Sequence, residues 1–191
     1  MLPIILDPSR VPIALVGRGE TLSRRLDWLR AGGAQHLAVY TDAPTSDLDD
    51  RLGPALVQRL PTSAELAKVQ LAWITGLPHL VAEPLAQTAR RLGVLTNVED
   101  VTEGCDFHTP AVVRRGDLLL TVSTGAKSPG LAARIRARLE VEYGPEWDDH
   151  LEHLARKRAA WRRRPRPLDE LAALADAVID AKGWLAEETR R

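Results

Sequence analysis

The first hundred residues alternate short apolar runs with stretches in which apolar positions recur every three or four residues. Residues 12–16 (PIALV) form one such run, closed by Gly17-Arg18-Gly19, and predict a buried strand leading into a tight turn. In the following segment, ETLSRRLDWLRAGG, Leu22, Leu26 and Leu29 fall at i, i+4 and i+7. That is one face of a helix, with Gly32-Gly33 as its stop. Residues 36–40 (HLAVY) predict a second strand running into the polar loop TDAPTS. Residues 56–59 predict a short third strand, and Thr62-Ser63 cap a brief helix. Residues 70–75 (QLAWIT) predict the next strand. A helix then follows to Leu92, with Pro84 in its first turn and Gly93 just past its end. Residues 94–97 (VLTN) predict one strand more. Strands separated by helices of this length specify parallel βαβ units, so the fold class expected is α/β, a Rossmann-type doubly wound parallel sheet.

Beyond residue 112 the pattern changes. Residues 117–124 (DLLLTVST) predict a strand ending in the turn GAKSPG, and everything after it reads as helix. Leu131, Ile135 and Leu139 share one face, and Leu151, Leu154, Arg158 and Trp161 share another. Leu168, Leu171, Leu174, Val178 and Ile179 share a third, and Pro165 and Pro167 separate the last two helices. The division expected is a Rossmann-type region over 1–112, a strand-and-helix region over 113–144 and a helical region over 145–191. No internal repeat is visible.

Composition narrows the classes. With 45% hydrophobic and 27% charged residues, the 191-residue chain can bury a core and is not disordered over most of its length. Acidic and basic residues balance at 26 each, which speaks against a nucleic-acid partner. The basic run at 156–166 carries Trp161 at helical spacing and reads as a solvated helix face. A single cysteine, Cys105, excludes an internal disulfide framework and an all-cysteine metal site, and it reads as a packed residue. No run approaches the ~20 apolar residues of a membrane span, and the first residues lack a basic leader, so a cytoplasmic protein without membrane association is expected.

Two places carry candidate chemistry. A strand, then Gly17-x-Gly19, then a helix is where a dinucleotide pyrophosphate rests on a helix N-terminus; the third small position of that fingerprint falls on Leu22. A tight turn without a ligand is the alternative. Asp42 closes the second strand, 23 residues after Gly19, where an acid takes the adenosine ribose hydroxyls, unless it merely caps a turn. The run Asn97-Val98-Glu99-Asp100 lies at the carboxyl end of a parallel strand, the edge at which open α/β sheets bind ligands. Asp100 there is either a general base tuned by its surroundings or a solvated loop carboxylate.

The stretch 97–140, NVEDVTEGCDFHTPAVVRRGDLLLTVSTGAKSPGLAARIRARLE, resembles the precorrin-2 dehydrogenase and sirohydrochlorin ferrochelatase family, the dehydrogenase modules of siroheme synthases. The family pattern runs NVVD, CDFxxPA, a basic-glycine turn, STGGxSP and LARxLRxxLE. The opening LPIILD, the turn VGRG against the family's VGGG, and Arg162 behind an aromatic residue extend the likeness over nearly the whole chain. The resemblance implies oxidation of precorrin-2 to sirohydrochlorin with hydride passing to NAD and, in some members, insertion of ferrous iron as a substrate. Asp100 matches the base for dehydrogenation and chelation. Gly17, Gly19, Glu20 and Thr21 match the pyrophosphate turn, Thr41 and Asp42 the ribose segment, and Thr75 and Asn97 the cofactor side of the crevice. Ser128 matches the serine that looks onto the tetrapyrrole cleft and is phosphorylated in some relatives. Arg114, Arg115 and Lys127 would serve as counter-charges to a polycarboxylate, or stand in a solvated turn. His108 either faces the cleft, where it would assist proton transfer or contact iron, or is a hydrogen-bonded structural residue.

A homodimer built from the region beyond 112 is implied, with no resident metal and no methyltransferase half. Three departures bear on the cofactor: Gly76 stands where relatives carry an acid, Leu22 replaces an alanine, and Arg18 replaces a glycine and offers a phosphate contact. A chelatase-only protein or a non-catalytic tetrapyrrole binder is the alternative reading.

Overall fold

The computed structural model describes residues 1–101, 103 and 105–186. The chain divides into two compact units, Met1–Thr109 and Pro110–Arg191. The regions 113–144 and 145–191 thus share one unit.

The first unit is a parallel sheet of five strands in the order β3-β2-β1-β4-β5. The strands are Ile13–Gly17 (β1), Leu37–Tyr40 (β2), Leu56–Val57 (β3), Leu71–Thr75 (β4) and Leu95–Val98 (β5). Neighbours pair in parallel throughout, with Gly17 opposite Thr75 at the carboxyl ends of β1 and β4. Both central strands are buried along their whole length, which is why they read as unbroken apolar runs. Helix Gly19–Ala31 (α1) buries Leu22, Leu26 and Leu29 against one face of the sheet, beside Trp73. Helix His79–Arg91 (α4) covers the other face with Ala82, Ala86 and Ala89, small residues that let it lie close. Each leucine so buried contributes roughly 2 kcal/mol of apolar transfer. Helices on both faces and a strand order that reverses between β1 and β4 make this the doubly wound fold the pattern predicts.

Two features of this unit depart from expectation. A helix, Ser46–Leu52 (α2), occupies part of the polar loop; Thr45 caps it through the Leu48 amide, and Leu48 is its one buried residue. A single apolar anchor leaves no periodicity to read. The brief helix Ser63–Leu66 (α3) forms as predicted, on a reciprocal Thr62–Glu65 capping box. Pro84 lies at the sixth position of α4, in the second turn rather than the first. Its missing N–H leaves the carbonyl of Leu80 to solvent, and that residue is 87% exposed.

In the second unit the apolar strand is Leu118–Val122 (β7), and its partner is Ala111–Arg115 (β6), which pattern reading missed. The two form an antiparallel hairpin around Gly116, so one edge of β7 is satisfied within the chain rather than left for a second copy. Pro129–Glu142 (α5) packs on both strands, followed by Trp147–Trp161 (α6) and Leu168–Lys182 (α7). Gly183 ends α7 in the left-handed conformation.

The outer edge of β5 is closed by residues 105–107. The Asp106 amide donates to the Thr96 carbonyl at 2.7 Å, and its carboxylate accepts from the Thr96 amide and hydroxyl, both at 2.8 Å. One step along, the Val98 amide donates to Cys105 Sγ at 3.3 Å, and the thiol donates to the Val98 carbonyl at 3.2 Å. Thr96 and Val98 are the residues whose backbone groups face outward from an edge strand, so this short segment stands in for a sixth strand and blunts the edge.

Burial pushes the Asp106 carboxyl up, but the Thr96 hydroxyl and amide, with the Arg90 guanidinium, outweigh it and hold it below its usual value. The folded pKa lies below the unfolded one, so the stabilisation is complete above about pH 4 and disappears as pH falls through the native value. Asp106→Ala should lower the urea-unfolding free energy near neutral pH by about 2 kcal/mol. The difference between variant and parent should shrink on acidification; a gap of constant size down to pH 2 would contradict it.

Candidate active site

The carboxyl ends of β1 and β4 meet without side chains between them. A Cβ on Gly17 would lie 2.1 Å from the Thr75 carbonyl oxygen, and the Arg18 amide donates to that same oxygen at 3.2 Å. Only glycine permits this approach. Gly19 opens α1 with φ +65°, and a Cβ there would meet nothing within 4 Å. The N-terminus of α1 has no side-chain cap, so its first N–H groups face the open side of the turn. Thr21 turns its hydroxyl back onto the Arg18 carbonyl at 3.2 Å, and Glu20 stands in solvent 4.0 Å from Arg24.

Each polar group around this turn has an identifiable partner. Thr41 is fully buried and accepts from the Ala43 amide at 3.2 Å, turning the chain after β2. Asp42 is gripped by Arg18 through Nε and Nη2, both at 2.6 Å, and that pairing holds its carboxyl below the usual range. Thr75 donates its hydroxyl to Glu99, whose carboxylate lies 3.7 Å from Arg25 on α1. Burial lowers the pKa of Arg25 and Glu99 opposes that shift; the guanidinium also lies 5.2 Å from the Trp28 ring centroid. Asn97 is buried and donates its amide to the Phe107 carbonyl at 2.8 Å, which commits its N–H₂ to holding the 105–107 segment.

Asp100 follows β5 in a turn closed by the Val101 amide on the Val98 carbonyl at 3.2 Å. Its φ is +63°, a left-handed conformation that few side chains tolerate and aspartate tolerates best with asparagine. It lines a cavity of about 190 Å³ together with Gly76, Leu77, His79 and Glu99. His79 at the start of α4 is therefore the histidine near Asp100, whereas His108 is half-buried beyond Phe107 and does not line this cavity. The sequence pattern names Glu99 only as a member of the run 97–100, with no role of its own, and does not single out His79. Their available signals were an acid in place of the family's second valine and a histidine one residue after the Gly76-Leu77-Pro78 turn.

The remaining expected residues belong to the second unit. Arg114 and Lys127 are exposed and free to meet anions. Arg115 turns onto backbone carbonyls, donating to those of Tyr143 (2.8 Å), Glu140 (3.1 Å) and Arg114 (3.0 Å). A cation at the C-terminal end of α5 satisfies orphan carbonyls there, which is why it turns inward. Ser128 caps α5 through the Leu131 amide at 3.3 Å. No group of three or more potential metal ligands occurs among the described residues.

Residues 4–111 match the family described as "Putative NAD(P)-binding". The chain belongs to this family. The siroheme synthase of Methylococcus capsulatus is 34% identical over 142 residues, which is 73% of this chain and 30% of that protein. The siroheme synthase of Nitrosospira multiformis is 30% identical over 209 residues, 98% of this chain and 44% of that protein. The chain thus spans less than half the length of these relatives. Among solved structures, "SirC, precorrin-2 dehydrogenase" shares the fold with a TM-score of 0.75 across 98% of this chain and 93% of that one, at 20% identity. The kinship expected from residues 97–140 therefore holds.

Within this NAD(P)-binding family, two of the departures acquire physical content. Leu22 is fully buried in the core beneath α1, so it packs the helix on the sheet and does not crowd the turn. Gly76 has φ +63°, and a Cβ there would lie 2.4 Å from the Arg18 carbonyl oxygen and 2.5 Å from Thr21 Oγ1. An acidic side chain would have no room at this backbone position. Gly76→Asp should therefore not improve dinucleotide binding. It should cost about 2–3 kcal/mol in urea unfolding, from left-handed strain and overpacking together. Parental stability in that variant would show that the turn relaxes freely.

Proposed function

We propose that the chain oxidises precorrin-2 to sirohydrochlorin with NAD as hydride acceptor, in the biosynthesis of siroheme or a related tetrapyrrole. The observation that carries this reading is the convergence of a bare glycine turn and an uncapped helix N-terminus with Asp100, held left-handed beside its cavity, at one edge of the sheet. That edge is where doubly wound sheets take their ligands. The names of the curated relatives, siroheme synthases, support the substrate class.

The residues fit a dinucleotide. The backbone at Gly17, Gly19 and Thr21 would hold the pyrophosphate, Asp42 the adenosine ribose, and Thr75 with Asn97 the inner wall of the crevice. Bound there, the nicotinamide supplies the two-electron hydride acceptor that protein side chains lack. Oxidation also releases a proton. The Asp100 carboxylate makes no hydrogen bond or ion pair among the described residues, so it is left to accept that proton, with His79 near enough to line the same cavity. Glu99 is engaged by Thr75 and faces Arg25, which keeps it out of this role.

Exposed Arg114 and Lys127 suit the carboxylates of a tetrapyrrole. We assign cofactor binding to 1–112, a homodimer interface to 113–144 and a helical region to 145–191, in a cytoplasmic protein. No helix of the described residues is long and apolar enough to cross a membrane. Ferrous iron, where inserted, would be a substrate, and loss of the pyrrole protons would fall to the same Asp100. A chelatase-only protein or a non-catalytic binder is the second reading, favoured by the absence of an acid at Gly76. NADH formation on addition of precorrin-2 and NAD under anaerobic conditions separates the readings.

Asp100→Ala should reduce NADH formation by about 10²- to 10⁴-fold, the scale of a lost general base, and leave NAD affinity within a few-fold. Near-parental turnover in Asp100→Ala with collapse in His79→Ala or His108→Ala would transfer the role to that histidine. Gly19→Asp sets a carboxylate at the turn and should abolish NAD binding in calorimetry while circular dichroism stays parental.

A further inference from the structure

Asp42 stands at the end of β2, the position from which an acid in this fold accepts hydrogen bonds from the adenosine ribose and repels a 2′-phosphate. A free carboxylate there selects NAD over NADP by both effects. In this chain the carboxylate is not free. Arg18, in the first turn after β1, places Nε 2.6 Å from one oxygen and Nη2 2.6 Å from the other, a fork-on-fork ion pair. Both side chains are 32% exposed, so the pair lies within reach of a ligand entering along the turn. Two of the five guanidinium N–H groups are engaged by Asp42, and three remain to donate. The Arg18 main chain is also fixed, since its amide is held by Thr75 and its carbonyl by Thr21, and the guanidinium is therefore anchored over this end of the turn.

We propose that Arg18 determines dinucleotide specificity: by neutralising Asp42 and presenting free donors beside it, it lets the site accept the 2′-phosphate of NADP as well as NAD. This rests on the reading of the turn as a dinucleotide site. Arginine suits the task because its fork matches phosphate oxygens bidentately and stays charged at any working pH. A glycine at position 18, as in the family turn VGGG, would leave Asp42 unpaired and the selection for the 2′-hydroxyl intact.

Calorimetric titration of the full chain with NAD and with NADP tests this without reference to turnover. The parent should bind the two with Kd values within tenfold of each other. Arg18→Gly and Arg18→Gln should each weaken NADP relative to NAD by at least tenfold further, with folding checked by circular dichroism. Asp42→Asn in the parent should shift the ratio toward NADP. A parent that prefers NAD by more than tenfold, or a ratio unmoved in both folded Arg18 variants, overturns the assignment to Arg18 while leaving the dinucleotide site standing. Failure of the parent to bind either dinucleotide at millimolar concentration overturns both.

Discussion

The crevice of this protein depends on how closely β1 and β4 approach at their carboxyl ends. Gly17 presses against the Thr75 carbonyl with no space for a Cβ, and Gly76 presses against the Arg18 carbonyl in the same way. Two backbones pass at van der Waals distance and the Arg18 amide ties them. The consequences propagate outward. The turn after β1 is short, so α1 starts uncapped with its first N–H groups exposed at the switch point. Thr75 is brought to the base of the crevice, where its hydroxyl holds Glu99.

The three acids near the carboxyl edge differ in chemistry because they differ in surroundings. Asp42 is locked to a guanidinium, Glu99 is held by a hydroxyl and faces the half-buried Arg25, and Asp100 follows in a left-handed turn and lines the cavity. Partners fix Asp42 and Glu99 in place, and the Arg18 guanidinium beside Asp42 holds its carboxyl below the usual range. Position along the sequence does not distinguish Glu99 from Asp100, since they are adjacent. The backbone conformation does, by sending the two side chains to different neighbours.

Much of the most recognisable sequence in the chain serves the fold. Cys105, Asp106 and Phe107 complete the outer strand of the sheet, and Asn97 holds them there through the Phe107 carbonyl. Phe107 also packs edge-on to Trp73, 4.7 Å between ring centroids, which seals the face beneath α1. These contacts fix the end of β5 and hence the turn that carries Asp100. An exposed sheet edge is a liability, and this segment is a compact way to remove it.

The sequence by itself determined the doubly wound class, since buried parallel strands read as apolar runs and α1 shows its core face at Leu22, Leu26 and Leu29. It also marked the glycine turn, Asp42 and Asp100 by their placement after strands, and the motifs of 97–140 pointed to the family. It did not disclose α2, whose single buried leucine has no period, or β6, whose Arg114 and Arg115 resemble a solvated turn. Tertiary structure alone decided which polar groups already have partners: Arg115 turned onto helix carbonyls, Arg18 onto Asp42, Asn97 onto Phe107. It alone placed His79 rather than His108 beside Asp100. Periodicity reports which side of an element faces the core, a local property of the chain. Hydrogen-bond partners 10 to 28 residues apart are set by how the elements come together, and no local pattern encodes that.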